Sequence, residues 1–313
     1  MSHHLFAKHY LKTLLTTVGT VTCDRTIPGR TLDISLWFDP DTAGQAKRKC
    51  SGDQDATNNP ATVQSDQEPS SMTGTSGNLV AKQHLENLLE PFGTVTTHRK
   101  VTSETCEVDV WFVPNPEAST DHLGILGQMT KQPCMIEPFH NAVGPDEVRS
   151  CLGKLFNLMA DLEQQADPQP IAEEPWLWIL SPTLSEDMLS DFGAEPERGW
   201  LNGFYFLPPA FQTVLVALHQ LPVTESTLWL RLMGQGGFQR RAIAELLALP
   251  KDHPLQQRTI EHLAVLQTNL QARENINEEE SILATNLIPV YEHWRQETLQ
   301  EERQEEERSH PSP

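Results

Sequence analysis

The chain has 313 residues and carries 43 acidic against 23 basic side chains, a formal net charge of −20. That length predicts one large domain or two modest ones. No stretch approaches the ~20 apolar residues that a membrane helix needs. The first residues lack a basic segment followed by an apolar run, so we expect a cytoplasmic protein with no membrane contact. The acidic balance argues at first against nucleic-acid binding, because phosphate neutralisation needs Lys and Arg.

The acidic charge is concentrated late in the chain. Residues 274–313 hold eleven Glu and three Arg, and 15 of the 20 net negative charges lie after residue 160. The run at 301–308 is typical of a solvated helix end or tail. The charge therefore does not exclude a DNA partner, although residues 79–160 carry a net −4 and predict weak binding.

Cysteine usage indicates a reducing compartment. The count is five, an odd number, and no pair has the spacing of a zinc site. We expect free thiols.

The N-terminal part of the chain is duplicated. Residues 5–40 and 79–114 align without a gap at a constant offset of 74, and 15 of 36 positions are identical. The shared features include GTVT, a Trp-Phe pair and a closing Pro. This similarity indicates a partial tandem duplication.

Each repeat predicts a helix and two strands. Leu residues at helical spacing end near Gly93, GTVTTHR follows as one strand, and EVDVWFVP as a second that stops at Pro114. Residues 41–78, between the repeats, are rich in Ser, Thr, Asn, Gly, Asp and Pro, and predict a flexible linker.

The remaining chain continues with a strand, a helix and a further strand. We predict a strand around Cys134–Glu137, a helix from Pro145 to about Leu162, and strands at WLWILSP and GFYFL. Helices follow, including one over PAFQTVLVALHQL. The order from residue 79 is α-β-β-β-α-β, which predicts an α/β protein with a restriction-endonuclease-like core and a helical C-terminal region. The predicted parts are a partial duplicate at 1–40, a linker at 41–78, a core at 79–207 and a helical region at 208–313.

Two acidic residues are the candidate chemistry of this core. Enzymes of this fold hold a divalent metal between an Asp on one strand and a Glu on the next, in a Glu-x-Lys pattern. Asp109 lies within an apolar strand, and Glu137 ends the next. Such oxygen ligands suit Mg²⁺, and a Lys would orient water and stabilise the charged phosphorane.

The basic position of this pattern is altered. Phe139 stands where the Lys is expected, and Lys154 or Arg149 on the following helix are the candidates for a displaced basic group. Two structural alternatives stay open: Asp109 could face water on a half-exposed sheet, and Glu137 could cap a turn.

The first repeat lacks this chemistry. Ser35 aligns with Asp109, and no Glu-bearing strand follows it. We therefore interpret the first repeat as a fragment of the core.

Several segments of the sequence resemble those of a known protein family. EVDVWFVP, PCMIEPFHN, PWLWILSPTLS, GFYFLPPAFQTVLVALHQLPVTESTLWLRLMGQG and IPVYEHWRQETLQ resemble a family of uncharacterised cyanobacterial proteins, related to PD-(D/E)XK nuclease-like, transposase-associated, recombination-promoting nucleases. The resemblance covers residues 79 to about 300. It implies Asp109 and Glu137 as metal ligands, whereas the Lys of the motif does not match.

Two functions follow as hypotheses. The first is an endonuclease that hydrolyses DNA phosphodiester bonds with Mg²⁺, through Asp109 and Glu137 on the metal and Lys154 or Arg149 on the phosphate. The second is a catalytically inactive scaffold of the same fold, whose C-terminal helices pair with themselves or with a protein partner.

Overall fold

The computed structural model describes residues 3–27, 29, 31–39, 94–102, 106–165, 174–273 and 278–309. The predicted linker and the predicted helix of the second repeat lie outside these residues.

The described residues form eight strands and eight α-helices, joined by short 3₁₀ turns. The strands are β1 Gly19–Ile27, β2 Thr31–Asp39, β3 Thr94–Thr102, β4 Cys106–Pro114, β5 Cys134–Pro138, β6 Trp176–Ser181, β7 Phe204–Phe206 and β8 Thr213–Ala217. The helices are α1 His3–Leu15, α2 Ile125–Met129, α3 Pro145–Gln165, α4 Glu186–Asp191, α5 Leu228–Arg231, α6 Gly236–Ala248, α7 Gln256–Gln271 and α8 Glu278–Ser309.

Six of the strands form one mixed sheet in the order β1-β4-β5-β6-β8-β7. The β1·β4, β4·β5 and β8·β7 pairs are antiparallel, whereas β6 runs parallel to both β5 and β8. The prediction of an α/β protein with a helical C-terminal region is confirmed, because α5 to α8 follow the last strand.

The two repeats exchange strands. The first strand of the first repeat, β1, pairs with the second strand of the second repeat, β4, while β2 pairs with β3. The two strand pairs have equivalent registers. Thr20 pairs with Val113 in β1·β4, and the positions aligned with them in the other repeat, Thr94 and Asp39, pair in β2·β3. Each repeat thus contributes one strand to each pair.

The compact units follow this exchange and not the predicted domain boundaries. One unit comprises Met1–Pro28 and Thr105–Pro313, and the other comprises Gly29–Glu104. The six-stranded sheet belongs to the first unit, and the β2·β3 pair belongs to the second. The first helix and the first strand of the main unit, α1 and β1, therefore come from residues 3–27 of the first repeat. The sequence pattern instead predicts them from residues 79 onward.

The sheet buries both of its faces. Along β5, Cys134 and Ile136 join a cluster with α1, α2 and the C-terminal helices, whereas Met135 joins a cluster with α3 and α4. This alternation is the period-2 geometry of a strand, and all five residues of β5 are buried.

The predicted helix over residues 209–221 is wrong. Thr213–Ala217 form strand β8, all five residues are buried, and the strand lies between β6 and β7. A short, continuous apolar run does not distinguish a buried strand from a helix, and its β-branched residues suit a sheet interior. The turn before it contains Gln212 at φ 43°, which would interrupt a helix.

No described helix has the length and apolar character required to cross a membrane. Within the same residues, Cys23, Cys106, Cys134 and Cys151 are free thiols.

Candidate active site

Asp109 lies at an interruption in the β1·β4 pairing. The ladder joins Cys23 to Val110 and Arg25 to Val108, but does not join the intervening residues Asp24 and Asp109. Asp24 has a φ of 55°, in the left-handed region that Asp tolerates better than most residues. This local distortion places two acidic residues opposite each other, midway along the pair formed by the edge strand β1 and its neighbour β4.

Glu137 lies on the neighbouring strand β5. Its side chain is 1% exposed, and its Oε1 accepts a hydrogen bond from the backbone N–H of Asp109 at 3.0 Å. The carboxylate and the adjacent strand are thus held together by a buried contact. The contact joins the Glu137 side chain to the backbone of Asp109, the other sequence-predicted acidic residue.

Lys154 supplies the ammonium of the site. It lies on α3 beside the buried face formed by Cys151, Leu155 and Leu158. Its Nζ donates to Oε2 of Glu137 at 2.7 Å, and its side chain is 20% exposed. Phe139, at the expected Lys position, packs instead against the core cluster on this face. The basic group therefore comes from the helix, whereas the strand position serves packing.

The other basic candidate is placed elsewhere. Arg149 donates to Asp146 at 2.7 Å, both side chains are mostly exposed, and its guanidinium lies 5.9 Å from the ring centroid of Phe192. An exposed pair three residues apart on a helix contributes little to stability. The structure thus brings Lys154, and not Arg149, to Glu137.

The site contains a second lysine that sequence reasoning missed. Lys8 of α1 is 6% exposed, lies 3.0 Å from Oδ1 of Asp109 and also contacts the carboxylate of Asp24. Its neighbours Phe6, Ala7, Tyr10 and Leu11 are buried apolar residues. One signal was available in the sequence: Lys8 is identical to Lys82 in the repeat alignment, on an otherwise apolar helix face.

Burial and mutual charge shift the titration of these groups. Burial and the nearby Asp109 carboxylate together raise the pKa of Glu137 to about 7, although Lys154 opposes the rise. Burial alone would lower the pKa of Lys154, but Glu137 outweighs that effect and leaves it raised. Burial likewise acts to lower the pKa of Lys8, and its contacts with Asp24 and Asp109 leave it raised. Both lysines therefore stay charged at neutral pH.

The structure excludes the two simpler interpretations of the acidic residues. Asp109 is 8% exposed and does not face bulk water, and Glu137 is 1% exposed within a strand and does not cap a turn. Buried carboxylates of this kind require charged or hydrogen-bonding partners, which the two lysines and the Asp109 N–H provide.

Asp109 and Glu137 are the candidate ligands for a divalent cation. In the described part of the chain, no group of three or more His, Cys, Asp or Glu residues is gathered for a metal. Mg²⁺ in phosphoryl-transfer sites uses one or two carboxylates, and water and substrate phosphate complete its shell. Asp109 and Glu137 would supply two such carboxylates, and an ion would compete with the ammonium groups of Lys8 and Lys154.

Comparisons of the chain with protein-family models, with curated proteins and with solved structures gave no significant match.

Proposed function

We propose that this chain is a Mg²⁺-dependent endonuclease that hydrolyses phosphodiester bonds in DNA. The observation that carries the proposal is the 2.7 Å contact of Lys154 with Glu137, beside the buried Asp109. Two carboxylates and one ammonium are the groups that a metal-assisted phosphodiester hydrolysis needs.

The element order supports the same proposal. Once the short helix α2 between β4 and β5 is set aside, α1, β1, β4, β5, α3 and β6 of the main unit have the order α-β-β-β-α-β expected of a restriction-endonuclease-like core. The two acidic residues lie on its second and third strands, and Lys154 lies on the helix that follows.

Each residue has a role in this proposal. Asp109 and Glu137 would hold the metal, which would polarise the scissile phosphate and lower the pKa of bound water. Lys154 would orient the attacking water and stabilise the charge that develops on phosphorus-bound oxygens. Lys8 holds Asp109 in place and offsets its charge.

A plasmid-nicking assay with Mg²⁺ or Mn²⁺ tests the proposal. We expect nicking by the wild type and its loss in Asp109→Ala, Glu137→Gln and Lys154→Met. Arg149→Met is the matched control, because Arg149 bonds to Asp146 on the helix surface. Activity that Asp109→Ala retains would refute the proposal.

A second function is favoured by one specific observation. The two lysines already offset both carboxylates without a metal, as in an inactive protein that has kept a stable core. In that case the 32-residue helix α8, which exposes Ile282, Ile288 and Leu299, would be the surface for a protein partner or a second copy. Light scattering of the full chain, with Ile282→Ser as the variant, tests self-association.

A further inference from the structure

An aromatic pocket lies on the sheet face opposite Glu137. Trp178 of β6 joins the core cluster that contains Ile136, its partner on β5. Glu137 follows Ile136 on β5 and therefore points to the other face, where α3 packs. The residues that line the pocket include neither carboxylate of the candidate active site.

Four aromatic rings build the pocket. Trp176 and Trp178 come from β6, Trp200 from the loop before β7, and Phe206 from the end of β7. The centroid of Phe206 lies 6.1 Å from that of Trp176 and 5.3 Å from that of Trp200, and Trp178 lies 5.4 Å from Trp200. Trp176, Trp200 and Phe206 are half-buried, so part of each side chain is exposed to solvent.

The volume and the rim of the pocket indicate a small, neutral ligand. The cavity measures about 330 Å³, at the lower end of small-molecule sites. Its rim carries Gln128, Gln132, Lys131 and Glu197, all exposed. An aromatic cage for a quaternary ammonium relies on negative charge, whereas the ammonium of Lys131 offsets the carboxylate of Glu197 here.

A buried donor adds a second observation. Trp178 is 3% exposed, and its indole N–H has no hydrogen-bond acceptor among the residues that the structure describes. Buried indole N–H groups normally have a partner. The indole nitrogen itself is closed to solvent, so a ligand acceptor would satisfy it only after the surrounding rings shift.

We propose that this pocket binds a nucleobase, stacked among Trp176, Trp200 and Phe206 with its polar edge toward the rim. The planar ring of a nucleobase can stack on the aromatic walls. Its hydrogen-bond donors and acceptors can pair with the two amides and the two opposite charges of the rim. Base stacking on aromatic side chains tolerates different bases, so the pocket accepts an unpaired base of a single strand or a free nucleotide. This site does not depend on the proposed nuclease activity.

Titration of the full chain with deoxynucleosides, and with a short oligothymidylate, tests the proposal by calorimetry. We expect saturable binding that Trp200→Ala weakens on the order of 10-fold, from the loss of one stacking ring. Trp294→Ala, on α8 outside the pocket, is the matched control and should bind like the wild type. Tighter binding of the oligomer than of thymidine assigns the pocket to single strands, and equal binding assigns it to free nucleotides.

A second readout measures binding on the wild type, and a variant serves only to assign a resonance. The indole N–H resonance of Trp178, assigned with Trp178→Phe, should shift on saturation, whereas that of Trp294 should not. Three results would overturn the proposal: no saturable binding of any nucleoside or oligomer, an equal loss in Trp294→Ala, or preference for tetramethylammonium over nucleosides.

Discussion

Replacement of Lys8 by Met should destabilise the fold far more than a typical surface substitution. The Lys8 side chain is 6% exposed and the Asp109 side chain is 12% exposed, so their contact is shielded from water. Loss of one partner from a buried ion pair costs about 3–5 kcal/mol, because the other charge is left in a low dielectric. The Asp24 side chain is 52% exposed, so its contact with Lys8 adds little. We expect a loss of about 3 kcal/mol in the free energy of unfolding.

Urea denaturation in the presence of EDTA measures this loss, and Lys12→Met is the matched control. Lys12 lies on the same helix, and its side chain is exposed. A loss in Lys8→Met that does not exceed that in Lys12→Met would refute the reasoning. Millimolar Mg²⁺ should narrow the gap between the two variants, because a bound cation would supply the charge that Lys8 supplies.

Three further changes have defined outcomes. The pKa of Glu137 is about 7 in the folded protein, against 4.5 for an exposed Glu. The protonated side chain therefore stabilises the fold fully below pH 4.5, and this stabilisation is lost as the pH rises through 7. We expect the urea midpoint of the wild type to fall between about pH 5 and 8, and Glu137→Gln to flatten that fall. Arg231→Met should lower the free energy of unfolding by about 2–4 kcal/mol in the same assay, because the fully buried guanidinium bonds a carboxylate, a hydroxyl and a carbonyl. Arg231→Lys should not restore the stability, since an ammonium group cannot make all of these bonds. Gly124→Ala should lower the melting temperature, because Gly124 has φ 56° and a Cβ would lie 2.4 Å from the Ser226 carbonyl oxygen. The control is Gly153→Ala on α3, where a Cβ would meet no atom within 4 Å, and it should raise the melting temperature slightly.

The local pattern of the sequence was sufficient for most elements of the main unit. The strand at Cys134–Pro138, the helix from Pro145 and the C-terminal helices follow from apolar periodicity. The strand at Thr213–Ala217 did not, because its apolar run lacks a diagnostic period and its status depends on the neighbouring strand β6.

The acidic residues of the site were predictable, and their cationic partners only in part. Asp109 and Glu137 were identified from their places on consecutive strands of the predicted core, and Asp109 also because a charged residue inside an apolar strand needs an explanation. Lys154 was one of two helical candidates, and only the geometry separates it from Arg149. Lys8 could not be assigned from spacing, since it reaches Asp109 only because β1 pairs with β4.

The exchange of strands between the repeats bears on how such a chain could arise. The offset of 74 residues joins equivalent positions, so a chain that lacked residues 31–104 would still contain both partners of the β1·β4 pair, with the same register. Duplication at this point enlarges the connection between two strands and removes nothing from the six-stranded sheet. Because the entropy cost of closing a loop grows only logarithmically with its length, the insertion imposes a small penalty on the unit that carries the site. The additional copy is therefore free to diverge, as Ser35 already has from Asp109, without loss of the carboxylates in the original.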